Sequence, residues 1–157
     1  MSINEWYILD LQFTQSKSYS CFLNSLLKSI KPVPNSLFGA CDPLGVQLLT
    51  RLRVGLSHLK VHKFNHGFND TIDPMCACNT EIESVFHFYL RCPFYINQRF
   101  NLMNDLSNLG IDTTPSMFMI NLLLYGDKSF CNELNLKILQ LSIQYIKDTK
   151  RFDGPLL

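Results

Sequence analysis

Four side chains in the middle of the chain have the types and spacing of a metal site. Cys76, Cys78, His87 and Cys92 form the pattern C-x-C-x8-H-x4-C. Thiolate and imidazole are the donors preferred by tetrahedral structural zinc, which is held by two short chelating pairs and a connector. Cys76-Ala-Cys78 offers the first pair, from a turn set up by Asp73-Pro74. His87 and Cys92 offer the second, from a helical turn and the residues just before Pro93. The connector between the pairs is long enough to fold one back onto the other. The plainer alternative is a set of buried cysteines and a helix histidine that share no ion, and C-x-C is less common than C-x-x-C. If the site is real, protein fills all four positions, so the expected zinc is structural and leaves no place for water or substrate. Glu83, four residues before His87, could hold the imidazole's second nitrogen; a solvated helix residue is the equal alternative. Cys21, Cys41 and Cys131 fall in or beside apolar helical stripes and read as ordinary core thiols.

A second cluster concerns charge. Between Asp42 and Asp70 there is no acidic residue, and that gap holds Arg51, Arg53, Lys60 and Lys63 with His58, His62 and His66. A locally positive segment beside a zinc module suits a phosphate backbone, whereas a solvated helix face explains the same charges without a partner. The histidines recur at i, i+4 with no carboxylate between them, which reads as a polar face and not a second metal site. Gly-rich phosphate loops, the G-x-S-x-G elbow, H-E-x-x-H and a Tyr-x-Asp-Asp aspartate pair are all missing. The expectation is therefore a chain that catalyses nothing alone and takes no small-molecule substrate.

These residues need elements to position them, and the periodicity predicts a mainly α architecture. Tyr19, Phe22, Leu23, Leu26, Leu27 and Ile30 form the stripe of a helix over 17–30, ended by Pro32 and Pro34. Asp42-Pro43 gives a cap and a first-turn proline for a second helix, with Leu44, Leu48, Leu52 and Leu56 along it and Gly55 as its break. Ser57 is placed to cap a short continuation to Phe64. Turn residues follow over 65–80, then a short helix over 83–90. A longer helix starts at Pro93, with Phe100, Met103 and Leu106 on one face and Gly110 as its stop. Pro115 opens another that ends near Gly126. Ser129 opens the last, with Phe130, Leu134, Leu141 and Tyr145 as its stripe and Lys147, Lys150 and Arg151 at its dipole-favoured end. The expected fold is a small helical domain with a zinc-stapled loop module in the middle. It comprises an N-terminal helical segment (1–40), a basic helix plus the zinc module (41–95) and a C-terminal helical segment (96–157), packed as one domain.

Composition bounds the rest. With 157 residues, 46% of them hydrophobic, the chain has the length and apolar content of one globular domain. Its 14 Lys+Arg against 13 Asp+Glu exclude a globally basic nucleic-acid binder but not a basic patch. The N-terminus lacks a basic segment followed by an apolar stretch, and no apolar run approaches the ~20 residues that span a bilayer. The expectation is an intracellular protein of nucleus or cytoplasm, neither secreted nor membrane-bound, whose clustered cysteines bind metal and not one another.

The string Leu49-Thr-Arg-Leu-Arg-Val-Gly-Leu-Ser-His-Leu59, then Cys76-x-Cys78, Glu83-Ser84-x-x-His87 and Cys92-Pro93 with Arg99 downstream, resembles a known region. It is similar to the C-terminal zinc-binding portion of reverse transcriptases from non-LTR (LINE-type) retrotransposons. The similarity runs from Trp6 and Ser16-Lys-Ser-Tyr-Ser20 to Lys150-Arg-Phe-Asp-Gly-Pro155. The resemblance implies zinc on Cys76, Cys78, His87 and Cys92, and a role in helping a polymerase engage template RNA or target DNA. Arg51, Arg53, Lys60, Lys63, Arg91 and Arg99 are the candidate nucleic-acid contacts. The polymerase fingers and palm and any endonuclease are absent, so the chain reads as a C-terminal fragment of a mobile-element RNA-directed DNA polymerase. Two other readings stand beside it. One is a domesticated helical protein-interaction domain without nucleic-acid binding; the other is a piece that assists a polymerase in trans.

Overall fold

The computed structural model describes residues 42–153. The helix expected over 17–30, its terminating prolines, and Cys21 and Cys41 lie outside these residues. Among the described residues the elements are α1 (Pro43–Arg53), α2 (Lys60–Asn65), a π-helical turn (His87–Arg91), a 3-10 turn (Pro93–Tyr95), α3 (Ile96–Asn108), α4 (Met117–Tyr125) and α5 (Asn132–Asp148). The architecture is helical, with the Cys/His cluster in the connection between α2 and α3, as the sequence pattern predicts.

The boundaries follow from local chemistry. Asp42 Oδ1 accepts the Gly45 N–H at 2.9 Å, so α1 starts on the expected cap with Pro43 in its first turn. That hydrogen bond and the Lys147 ammonium hold the Asp42 carboxyl below the usual carboxylate range. Gly55 ends the segment at φ +70°, a left-handed conformation that a side chain resists. Ser116 caps α4 through the Met119 N–H at 3.2 Å, and Gly126 at φ +76° closes it. The start of α2 differs from expectation. Ser57 Oγ accepts from the Leu59 N–H at 3.3 Å, but the first helical N–H, that of Lys60, is taken by Glu83 Oε2 at 2.7 Å. A side chain distant in sequence does what a local cap was expected to do.

Helix α5 is the hub, packing against α1, α3 and α4. Contact on three sides explains why its buried set is broader than the expected stripe. Ile138, Leu139, Ser142, Ile143, Tyr145 and Ile146 are buried, while Phe130, Leu134 and Leu141 sit only partly covered at the edges. In α1 the expected Leu48 and Leu52 are buried and are joined by Val46 and Leu49, while Leu44, and Leu56 beyond the helix end, are exposed. In α3 the core side is Leu102 and Leu106, and Phe100 is 73% exposed. Cys131, expected in the core, is exposed just before α5. At Gly45 an added Cβ would collide with Ile143, so the absent side chain is what lets α1 approach α5 closely.

Candidate metal centre

The first ligand pair rides on a miniature hairpin. Met75 and Ile82 form an antiparallel bridge, the Cys76 N–H donates to Glu81 O at 2.9 Å, and the Glu83 N–H donates to Pro74 O at 2.8 Å. Asn79, at φ 58°, turns the chain in the left-handed conformation that Asn tolerates better than most residues, and its N–H donates to Cys76 O at 2.9 Å. This turn projects Cys76 and Cys78 to one side.

The second pair depends on an unusual helical turn. His87 and Cys92 are five residues apart, which on a regular helix at about 100° per residue would set them roughly 140° apart. Here the Cys92 N–H donates to His87 O at 2.7 Å, an i→i−5 bond that widens the turn and stacks the two residues on the same side. Ser84 Oγ accepts the His87 N–H at 3.1 Å and starts this turn. Arg99 Nη1 donates to Cys92 O at 3.0 Å and fixes its end. The turn is tied to the core through the residues between the ligands. Phe88 and Tyr89 are fully buried, Tyr145 Oη donates to Phe88 O at 2.6 Å, and Tyr89 Oη lies 2.8 Å from Ser142 Oγ. Phe88 stands edge-on to Tyr95, Tyr145 and Phe152, with centroids 5.3–5.4 Å apart.

The result is a convergent set. One ligand atom from each of Cys76, Cys78, His87 and Cys92 lies within 4.8 Å of all the others, close enough to share a metal ion. Cys76 Sγ and Cys92 Sγ are 3.8 Å apart and both thiols are free. That separation is far beyond a disulfide, and it matches the sulfur–sulfur edge of about 3.8 Å in a tetrahedron with metal–sulfur bonds of about 2.3 Å. Cys78 Sγ and His87 Nε2 are 3.2 Å apart, so Nε2 is the ring nitrogen turned towards the sulfurs. Burial raises the Cys76 and Cys92 thiols above their ordinary pKa. At Cys78 burial acts in the same sense, but hydrogen bonds from Thr80, Cys76 and His87 outweigh it and draw the thiol down.

The carboxylate beside the imidazole is Glu81, not the expected Glu83. Glu81 Oε2 is 3.6 Å from His87 Nδ1, and Arg91 holds the other oxygen at 2.9 Å. His87 Nδ1 is buried and has no closer partner, so Glu81 is the group available to orient it. Glu83 is buried for another purpose: Arg151 grips both its oxygens at 2.6 and 2.8 Å and also donates to His58 O at 2.9 Å. Arg151 thus clamps the end of α5 to the Cys/His segment, a larger role than the helix-dipole complement expected of it. Neither pairing has a spacing signal in the sequence.

The basic residues separate by environment. Arg53 Nε donates to Leu124 O at 2.5 Å and its guanidinium lies 5.6 Å from the Tyr125 ring centre. Arg99 holds Cys92, and Arg91 pairs with Glu81 and lies 4.9 Å from the Phe86 ring centre. Lys63 pairs with Asp70. Arg51, Lys60 and Lys63 belong to the α1–α2 segment, and Arg51 and Lys63 line a surface cleft. The three histidines all line that cleft but differ in setting. His62 is buried against Ser57 Oγ at 2.8 Å, His66 Nε2 lies 3.1 Å from Gly55 O, and the His58 carbonyl accepts from Arg151. Burial first, then His66, lowers His62 to a pKa of about 4. No helix among the described residues is long and apolar enough to cross a membrane. No protein-family model matches the chain, nor does any curated protein or any solved structure.

Proposed function

We propose that the chain is a non-catalytic nucleic-acid-binding module held together by a structural zinc ion on Cys76, Cys78, His87 and Cys92. We further propose that it corresponds to the C-terminal part of a LINE-type reverse transcriptase. The observation that carries the zinc is the closed donor set: three sulfurs and one imidazole nitrogen within 4.8 Å of one another, on two backbone turns that have little apolar content at the first pair. Such a set favours zinc among biological ions, because thiolates suit a soft or borderline ion and the filled coordination leaves no catalytic position. When bound, zinc supplies binding free energy that becomes folding free energy for 73–95. Cys76, Cys78 and Cys92 would hold it as thiolates and His87 through Nε2.

The resemblance also takes on a physical reading. Ser84 starts the turn that carries His87, Glu83 receives Arg151, and Gly55 ends the basic helix at a positive φ. Nucleic-acid binding is supported by the segment of Arg51, Lys60 and Lys63, where phosphate contacts would give a steep loss of affinity with salt. Expected are about one zinc per chain, metal loss in Cys78→Ser and His87→Ala, and RNA or DNA affinity that falls with salt and with Arg51→Ala. Salt-independent or absent binding by the zinc-loaded chain overturns the nucleic-acid role.

A second reading, a protein-interaction domain, is favoured by one observation. Phe94, Ile96 and Phe100 are 58%, 61% and 73% exposed around the start of α3, while Arg53, Arg91 and Arg99 all have partners within the chain. That reading takes over if nucleic acid does not bind.

A further inference from the structure

Next to the metal module, residues 51–68 curl around a cleft of about 240 Å³. Its wall includes Arg51, Leu56, His58, Lys63, His66 and Phe68, and no carboxylate lines it among the described residues. Phe68 is 41% exposed and the Lys63 ammonium lies 5.8 Å from its ring centre, so a cation and an aromatic face are presented side by side. His58 Nε2 is buried without a hydrogen-bond partner. Buried polar nitrogens are nearly always satisfied, so an unmet one in a cationic cleft calls for a polar ligand.

We propose that this cleft receives one unpaired nucleotide of a single-stranded nucleic acid, with its phosphate on Arg51 and Lys63, its base against Phe68 and a polar edge on His58 Nε2. This rests on the nucleic-acid reading above and specifies which form of nucleic acid is bound. The volume lies just below the roughly 300–1,000 Å³ of sites for whole small molecules, which suits a fragment of nucleotide size. A duplex hides its base faces in the stack, whereas a single strand can splay a base onto an aromatic ring beside a positively charged wall. Burial, with the neighbouring positive charges of Arg51, Lys63 and Arg151, keeps His58 below its ordinary pKa and therefore neutral. It meets the ligand as a hydrogen-bonding group and adds no charge. Asp70, paired with Lys63 at the edge of the cleft, competes with an incoming phosphate for that ammonium.

The test uses the full, zinc-loaded chain with a fluorescent oligouridylate and an RNA duplex of the same length. The single strand is expected to bind more tightly. Phe68→Ala should weaken single-strand binding by about tenfold, the loss of one base–aromatic stack, and leave duplex binding unchanged. Asp70→Asn should tighten single-strand binding more than duplex binding by freeing Lys63, since loss of a negative charge by itself would tighten both alike. Salt-dependent binding that ignores both variants, or equal losses on both probes, overturns the cleft assignment and leaves the broader reading standing. Failure of wild type to bind either probe at low salt removes both.

Discussion

At the residue scale, the cluster of Cys76, Cys78, His87 and Cys92 has one flanking carboxylate beside its imidazole, that of Glu81. Thiols and imidazole at short spacing announce themselves, because few side chains do that chemistry. A carboxylate does not, because it serves as cap, ion-pair partner or solvated surface with equal ease. Glu81 and Glu83 are two residues apart, a spacing that strand alternation would place on one face, so alternation does not separate them. Which of them meets His87 is decided by their partners: Arg151 and the Lys60 N–H hold Glu83, and Arg91 holds Glu81 beside the imidazole. Glu81→Gln should therefore weaken metal affinity by about 10- to 100-fold in a competition titration with a chromophoric chelator, with the fold intact. Equal affinity would show that His87 Nδ1 is oriented by something else. The clamp has its own test. Arg151→Met leaves the buried Glu83 carboxylate unpaired and should lower unfolding stability in urea by about 3 kcal/mol. Adding Glu83→Leu should recover much of that loss, since a buried pair replaced by apolar groups is often near neutral.

At the element scale, helix existence followed from period and punctuation, and the orientation of each helix followed from its neighbours. Asp42-Pro43, Gly55, Gly110 and Gly126 mark real boundaries because capping and positive φ are local properties. Leu48, Leu52, Leu106 and Tyr145 of the expected stripes are buried, whereas Leu44, Phe100 and Leu141 lie at edges set by packing, which period alone does not carry. The sequence predicts ordinary helix at His87–Arg91 for the same reason: the i→i−5 bond of this π-helical turn is stabilised by tertiary anchoring of Phe88 and Tyr89. Gly45→Ala should cost on the order of 1–3 kcal/mol by overpacking α1 against Ile143, measured as a lower denaturation midpoint with an unchanged slope.

Helix α2 carries a pH dependence. His62 is neutral in the fold with a pKa of about 4, against 6.5 in the unfolded chain. The unfolded state therefore binds the proton first. His62's contribution is complete above pH 6.5 and is lost as the pH falls towards 4, a decline of about 3 kcal/mol. In His62→Gln, whose amide can keep the Ser57 contact, the stability–pH curve should be flatter over that window than in wild type. Acid release of metal affects both proteins, so the difference between the curves isolates the histidine.

At the scale of the whole molecule, a net charge of +1 conceals two uses of positive charge. Arg53, Arg91, Arg99 and Arg151 are internal fasteners between the helices and the metal module, and Arg51 and Lys63 face the cleft. A linear reading sees only a basic stretch and cannot sort these roles, since sorting depends on which backbone carbonyls and carboxylates lie opposite in space. The metal module and the helical core are coupled in the same way, through Phe88, Tyr89 and the Glu83–Arg151 pair. Removal of the metal should therefore lower the melting temperature of the entire domain and leave the end of α5 without its clamp. The most direct measurement is cobalt(II) titration of the reduced, metal-stripped chain, followed by its visible ligand-field spectrum. The account predicts saturation at about one equivalent with the intense bands of a tetrahedral three-sulfur, one-nitrogen site, displacement by zinc, and loss in Cys78→Ser. Weak octahedral bands, or no uptake with an unchanged melting temperature, would contradict it.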